Sequence, residues 1–232
     1  MRLILTLSLL ACCAGCQAAT PTHSEKAPAP AQAAAPQATA VAGDAARGKA
    51  RSAELYCDAC HGTNGNSETA DWPSIAGQNA AYLARQMELL RSGARSSPEM
   101  QPMAAPLSDA DIVDLAAHYA AQAVVTSTGN SGDTKIGESL YRNGDSARAI
   151  PACSSCHGIN GEGNAATGDP AVRAQQAGYT SRQLEAYAKH TRYSGDSHSE
   201  QNNPSLQIMR ETAEKLTAEE IRSLAAYLRA MP

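Results

Sequence analysis

The stretch Cys57-Asp58-Ala59-Cys60-His61 recurs as Cys153-Ser154-Ser155-Cys156-His157, so the chain carries the pattern Cys-x-x-Cys-His twice. Two thiols at this spacing reach the two vinyl groups of one porphyrin, and the adjacent histidine can bind the iron from below the ring. The pattern therefore predicts two covalently bound haem c groups. Their first axial ligands are expected to be His61 and His157.

Two other kinds of site use a Cys-x-x-Cys pair. A redox dithiol needs the two cysteines but leaves the histidine unexplained in both copies. A zinc site would need Cys60 and its neighbour His61 as two corners of one tetrahedron, which adjacent residues occupy poorly. Haem attachment is the interpretation that uses every residue of both copies.

Composition indicates a soluble globular chain with a thin core. The 232 residues are enough for two small domains, but they include no Phe, one Trp and eight Tyr. A buried porphyrin would supply the missing apolar mass. Without Arg2, 18 basic and 23 acidic residues remain, a net charge near −5, which argues against nucleic acid as a partner.

Residues 1–16 have the pattern of an export signal, with Arg2 followed by an apolar run and small residues. The ending Ala-Gly-Cys resembles a lipobox, which would make Cys16 a lipidated first residue, although Cys13 stands where Leu is usual. Cleavage near Ala18 or Ala19, giving an unanchored periplasmic protein, is the alternative. We favour lipidation because the cysteines outside the two motifs are all N-terminal: Cys12, Cys13 and Cys16.

Residues 17–42 are rich in Ala, Pro, Gln and Thr, a composition that cannot bury a core and predicts a disordered tether. Fully extended, residues 18–42 would reach roughly 75 Å. Gln17, in place of the Asp that retains some lipoproteins at the inner membrane, favours the outer membrane.

The chain repeats itself beyond the two motifs, which predicts tandem domains at 43–126 and 133–232, joined by a linker at 127–132. The segments 73–78 (Pro-Ser-Ile-Ala-Gly-Gln) and 170–175 (Pro-Ala-Val-Arg-Ala-Gln) correspond, as do 82–87 and 179–184. Each half ends with a capping box, at Ser108 and at Thr217, before an amphipathic helix. No strand pattern of useful length appears, so the predicted class is all-α with long loops.

Two methionines recur at one position of the repeat, seven residues before Leu107 and Leu216. Met100 and Met209 are therefore the predicted sixth ligands, and we place both in loops between helices. Met103 is the rival in the first half, although Met87, Met103 and Met231 are also explained as core residues. His118 is more simply a packing or helix-surface residue, and His190 and His198 flank or belong to a stretch at 193–204 that we interpret as an inserted surface loop.

Residues 43–232 resemble the bacterial dihaem cytochromes of the cytochrome c4 type, which contain two class I cytochrome c domains. The resemblance rests on the paired motifs, the segment 73–78, and the methionine followed by Leu-Ser/Thr-x-x-Asp/Glu-Ile. It implies that the carbonyls of Pro73 and Pro170 accept hydrogen bonds from the proximal histidines, and that Gly137 and Tyr141 let two helices cross closely. Ala174 in place of Gly, the insertion and the lipidated tether depart from the family pattern.

The expected function is electron transfer, with no residue in acid–base catalysis. The family's role suggests passage of electrons from a quinol-oxidising complex to a terminal oxidase. One alternative is the cytochrome subunit of a periplasmic dehydrogenase complex. Another is a dihaem enzyme, a peroxidase or thiosulfate dehydrogenase, which would need one iron open or differently ligated. Paired methionines and the lack of spare cysteines in the folded part argue against an enzyme.

Overall fold

The structure, a computed structural model, describes residues 43–126, 133–193 and 204–232. The predicted signal, Cys16, the tether and the linker lie outside these residues, as do His198 and most of the predicted insertion. Within the described ranges, no helix is long and apolar enough to cross a bilayer.

The first half contains five helices among its described residues. They are α1 (Ala45–Glu54), α2 (Asp58–His61), α3 (Ala80–Ser92), α4 (Met100–Ala104) and α5 (Asp109–Ala120), with a 3₁₀ turn at Thr63–Gly65. Asp44 caps α1, because its carboxylate accepts hydrogen bonds from the amides of Ala46 and Arg47. Asn79 caps α3 in the same way.

The described part of the second half repeats this order. It contains α6 (Lys135–Asn143), α7 (Ser154–His157), α8 (Ala177–Ala188), α9 (Pro204–Ala213) and α10 (Ala218–Ala230), with a 3₁₀ turn at Ser146–Arg148. Pairing between extended segments in the described ranges is limited to isolated bridges. The predicted all-α class is confirmed.

The predicted amphipathic helices at the end of each half are α5 and α10, and both begin with a complete capping box. Their apolar residues recur at helical spacing and are buried, at 6% exposure or less: Ile112, Leu115, Ala116 and Tyr119 in α5, and Ile221, Leu224, Ala225 and Leu228 in α10. Apart from Ala225, these residues belong to the two larger hydrophobic cores, which are centred on α5 and α10.

A glycine in the first helix of each half lets it cross the last helix closely. A Cβ atom on Gly137 in α6 would lie 2.3 Å from the Ser223 carbonyl oxygen in α10. A Cβ atom on Gly48 in α1 would lie 2.0 Å from the Asp114 carbonyl oxygen in α5. Only glycine allows either approach. The crossing at Gly137 was expected from the family resemblance, whereas its counterpart at Gly48 was not.

The sequence prediction that Met100 and Met209 lie in loops is wrong. Met100 begins α4 and Met209 lies inside α9, so both are on helices rather than in loops. Pro102 occupies the first turn of α4, where a missing amide costs little. The predicted surface loop at 193–204 is described only at its two ends. Tyr193 is buried and bridges to Arg95, and Pro204 is the first residue of α9.

Candidate functional site

Each Cys-x-x-Cys-His sequence folds as a single helical turn, α2 or α7. The amide of His61 donates to the Cys57 carbonyl at 3.0 Å, and His157 donates to Cys153 at the same distance. Residues at i, i+3 and i+4 share one face of a helix. Both turns therefore present two thiols and one imidazole together.

The imidazole of each motif is held by a proline carbonyl. Nδ1 of His61 lies 2.9 Å from the Pro73 oxygen, and Nδ1 of His157 lies 2.9 Å from the Pro170 oxygen. A carbonyl can only accept, so Nδ1 carries the proton and Nε2 of a neutral ring keeps its lone pair for a metal. Burial lowers the pKa of His61, which is 7% exposed, and this favours the neutral ring.

The thiol of the first cysteine in each motif is not activated. Burial raises the pKa of Cys57, and it raises that of Cys153 to about 11. A catalytic dithiol needs a lowered thiol pKa so that a thiolate is present at neutral pH. These environments therefore give no support to the redox-dithiol alternative.

The two repeat-related methionines lie at the same cores as the motifs. Met100 and Cys57 both contact the core centred on α5, and Met209 and Cys153 both contact the core centred on α10. Met103 is 42% exposed and belongs to neither core. Met87 packs at the first core and Met231 is buried in the second, as the core interpretation expects. For Met103 that interpretation is wrong.

A cavity of about 360 Å³ opens beside α7. The site residues predicted for the second half line it together: Cys153, Cys156, His157, Pro170 and Met209. Leucine, valine, proline and tyrosine side chains supply much of the remaining wall. A thioether-forming pair, an imidazole and a methionine around an apolar space fit the donor set and shape of haem c.

Charged side chains also line this cavity: Arg85, Asp169 and Arg192. Arg192 lines it and is 4% exposed, yet among the residues described its Nη1 has no hydrogen-bond partner. Burial alone would raise the pKa of Tyr179, but the guanidinium groups of Arg95 and Arg192 lower it to about 8. A buried guanidinium with one unpaired nitrogen in the wall of a mostly apolar cavity suits the carboxylates of a haem.

Two of the remaining histidines, His118 and His190, lie among the described residues. His118 is buried on α5 beside Tyr119 and Gln122, so its role is packing and it is not on the surface. His190 is exposed and lies 2.5 Å from the Glu214 carboxylate. Among the described residues, no group of three or more His, Cys, Asp and Glu side chains is arranged to hold a metal ion.

Sequence reasoning missed two residue pairs at the boundary between the halves. Nη2 of Arg95 donates to the Tyr179 hydroxyl at 3.0 Å, and Nη2 of Arg192 donates to the Tyr82 hydroxyl at 3.1 Å. Each arginine follows the tyrosine of its own half by thirteen residues and contacts the tyrosine of the other half. Extending the repeat alignment beyond 82–87 to residue 95 would have shown that Arg95 and Arg192 occupy equivalent positions, although it would not have shown the crossed contacts.

Comparisons with known proteins match both halves. Residues 135–232 match the family model of cytochrome c, and residues 43–118 match that of cytochrome c oxidase, cbb3-type, subunit III. Cytochrome c4 of Thiocapsa roseopersicina is 38% identical over 201 residues, covering 86% of this chain and 97% of that protein. A thiosulfate dehydrogenase electron acceptor of Stutzerimonas stutzeri is 34% identical, covering 78% of this chain and 81% of that protein.

A solved structure is similar over the same range. The crystal structure of reduced recombinant cytochrome c4 from Pseudomonas stutzeri has a TM-score of 0.74 and 34% identity, covering 82% of this chain and 100% of that chain. Two tandem cytochrome c domains and this similarity show that the protein carries two covalently bound haem c groups and transfers electrons rather than acting as an enzyme. The chain belongs to the cytochrome c4 family.

Proposed function

We propose that His61 and Met100 ligate one haem iron and that His157 and Met209 ligate the other, with thioethers at Cys57, Cys60, Cys153 and Cys156. Each haem supplies a one-electron couple. The observation that carries this proposal is the matched placement of both sets. In each half, the histidine of the motif lies 2.9 Å from a proline carbonyl oxygen. A methionine contacts the same core as the first cysteine of that motif.

The chain's own residues would tune the two couples. The carbonyls of Pro73 and Pro170 fix the orientation of the imidazoles and make them stronger donors. A thioether ligand and an apolar wall favour the reduced iron and raise the potential. A histidine and a methionine together would leave the iron with no open position, which suits a carrier.

The proposed location is the periplasm, with Cys16 lipidated at the outer membrane and residues 17–42 as a tether. The proposed domain bounds are 43–126 and 133–232. In this position the protein would accept electrons from a quinol-oxidising complex and deliver them to a terminal oxidase. The acidic net charge favours basic docking surfaces on those redox partners.

A second partner is favoured by one of the relatives. A thiosulfate dehydrogenase electron acceptor is 34% identical to this chain. We therefore infer that a periplasmic dehydrogenase is the alternative electron donor. Reduction of the purified protein by such an enzyme, compared with reduction by a quinol-oxidising complex, distinguishes the two roles.

The ligand assignment is tested by the absorption spectrum of the oxidised holoprotein. Methionine-ligated ferric haem has a weak red charge-transfer band, and we expect full intensity for both haems. Met100→Ala should remove half of the band, whereas Met103→Ala should leave it unchanged because that side chain is largely exposed. A half-intensity band in the unmodified protein, or loss of the band in Met103→Ala, would contradict the assignment.

A further inference from the structure

Two glutamines at equivalent positions of the repeat reach across the boundary between the halves. Gln175 Nε2 donates to the Ser74 carbonyl at 2.8 Å, and the Ser74 amide donates to Gln175 Oε1 at 2.9 Å. Gln78 makes the same pair of bonds with Ala171, both at 2.8 Å. Each side-chain amide therefore pairs with the backbone of one residue in the opposite half.

The residues that the glutamines bind, Ser74 and Ala171, directly follow the two prolines whose carbonyls accept from the proximal histidines. The amide of Ser74 belongs to the same peptide group as the Pro73 carbonyl, which accepts from His61. The amide of Ala171 belongs to the same peptide group as the Pro170 carbonyl, which accepts from His157. A continuous chain of hydrogen bonds thus runs from a glutamine of one half, through one peptide group, to the proximal histidine of the other half.

Such a chain has an electronic consequence at the histidine. Hydrogen bonds in series polarise one another, and each strengthens the next by about 10–30%. An engaged amide makes its own carbonyl a better acceptor, and a better acceptor for Nδ1–H makes the imidazole a stronger donor at Nε2. An imidazole that donates electron density more strongly to the iron stabilises its ferric state. Gln78 is buried, so breaking its hydrogen bonds would cost free energy that new bonds to water do not fully restore.

We propose that Gln175 controls the donor strength of His61 and that Gln78 controls that of His157, so that each half tunes the haem of the other. Both glutamines are positioning residues, since they act through a peptide group and touch neither histidine. The inference rests on the proposed ligation by His61 and His157. It makes the contact surface between the halves part of both redox sites.

The test is a redox titration of the holoprotein, with each haem followed through its own hyperfine-shifted methyl signals in NMR spectra. Gln175→Met removes the bonds at nearly constant volume. We expect it to shift the reduction equilibrium of the haem held by Cys57 and Cys60 about threefold towards the reduced form. This corresponds to a rise in midpoint potential of roughly 30 mV, at 59 mV per tenfold. The other haem should be unchanged, and Gln78→Met should give the opposite selectivity.

Two further variants separate tuning from a structural effect. Gln175→Glu keeps an acceptor for the Ser74 amide, so the potential should return to the wild-type value or below. Gln176→Met is the matched control, because Gln176 is the neighbour of Gln175 and also crosses to the other half, but its side chain bonds the Ser67 carbonyl and Arg229 rather than a proline peptide. It should reduce stability without moving the potential of the haem at His61.

Three results would overturn the inference: no shift in either glutamine variant, a shift confined to the haem of the variant's own half, or an equal shift produced by Gln176→Met. These results are distinct from failure of the ligand assignment, which the charge-transfer band of the unmodified protein reports. A wild-type band of full intensity with unmoved potentials would remove this inference and leave the proposed ligands in place.

Discussion

Ala174 is an alanine in a left-handed backbone conformation, with φ of +52°. Its counterpart in the first half is Gly77, with φ of +62°. Both positions use the amide in the same way, because Ala174 donates to the Leu228 carbonyl at 2.8 Å and Gly77 donates to the Tyr119 carbonyl at 2.9 Å. A side chain in this region costs about 1–2 kcal/mol. The second half therefore bears a local strain that the first half avoids.

Exchanging these two residue types should give unequal results. In Ala174→Gly, relief of strain offsets the lost methyl group and the greater freedom of the unfolded chain, so the free energy of unfolding should change by less than about 1 kcal/mol. In Gly77→Ala, a new Cβ atom would also lie 2.5 Å from Val124 Cγ2, and we expect a loss of about 2 kcal/mol or more. Urea unfolding measures both. Equal losses would contradict the strain argument.

At the residue scale, the two haem c groups were predictable from the sequence because a motif determines local geometry. The turn at Cys57 and His61 needs only its own five residues, and the repeat related Met100 to Met209 without any structure. The roles of Gln175 and Arg192 were not predictable in this way. Their partners lie in the other half of the chain, and one sequence does not specify how two halves face each other.

At the level of elements, the two halves stabilise the same helix crossing with different chemistry. In the first half, the Asp114 carboxylate on α5 accepts from the Asp44 amide at 2.6 Å and from Arg47 Nε at 2.7 Å. In the second half, the equivalent residue is Ser223, which accepts from the Gly137 amide at 2.9 Å. Only the first crossing therefore depends on a charge.

Asp114→Asn should destabilise the first crossing in a pH-dependent way. The Arg47 guanidinium, with the Asp44 amide, lowers the pKa of Asp114. A lowered folded-state pKa contributes stability that is complete above the unfolded value, near 3.9, and is lost as the pH falls through the folded value. The variant's deficit in Tm should thus stay constant from pH 7 to about 5 and shrink below about pH 4.

Thermal unfolding at several pH values checks this expectation. Asp109→Asn is the control, because it makes the same charge change on α5 at a side chain that is 90% exposed in its pair with Arg91. An exposed pair contributes little, so the shift in Tm should be much smaller at pH 7. A deficit in Asp114→Asn that persists undiminished at pH 3 would show that shape, not charge, matters at this crossing.

Helix prediction succeeded or failed according to how much pattern each helix carries. The stripes of α5 and α10 extend over three turns and have capping boxes, so both helices were expected at their observed places. By contrast, α4 has five residues with a proline among them, and α9 begins beside residues outside the described ranges. A helix of five residues is fixed by tertiary packing rather than by local sequence, which explains why Met100 was misplaced. Met209 was misplaced because the sequence prediction extended the inserted loop into the ten-residue helix α9.

At the scale of the whole molecule, crossed contacts join the halves around an approximate two-fold relation. The arginine–tyrosine pairs and the glutamine–peptide pairs each occur twice with the roles of the halves exchanged. Arg182 and Asp71 add an exposed ion pair at 2.9 Å. The relation is imperfect in burial. Arg192 is almost completely buried, stacks near Tyr187 and Tyr193, and has no counterpart of this kind in the half-buried Arg95.

This difference in burial predicts an asymmetric response to removing the two tyrosine hydroxyls. Tyr82→Phe leaves a buried guanidinium donor with only a long contact of 3.4 Å to Gln86, and we expect a loss of about 1–3 kcal/mol in the free energy of unfolding. Tyr179→Phe should cost less than about 1 kcal/mol, because Arg95 keeps its 2.9 Å bond to Gln86 and water can reach it. Urea unfolding of the holoprotein, followed by Soret absorbance, compares the two variants. Equal losses, or a larger loss in Tyr179→Phe, would mean that the two crossed pairs contribute independently of burial and that Arg192 is satisfied by another partner in the loaded protein.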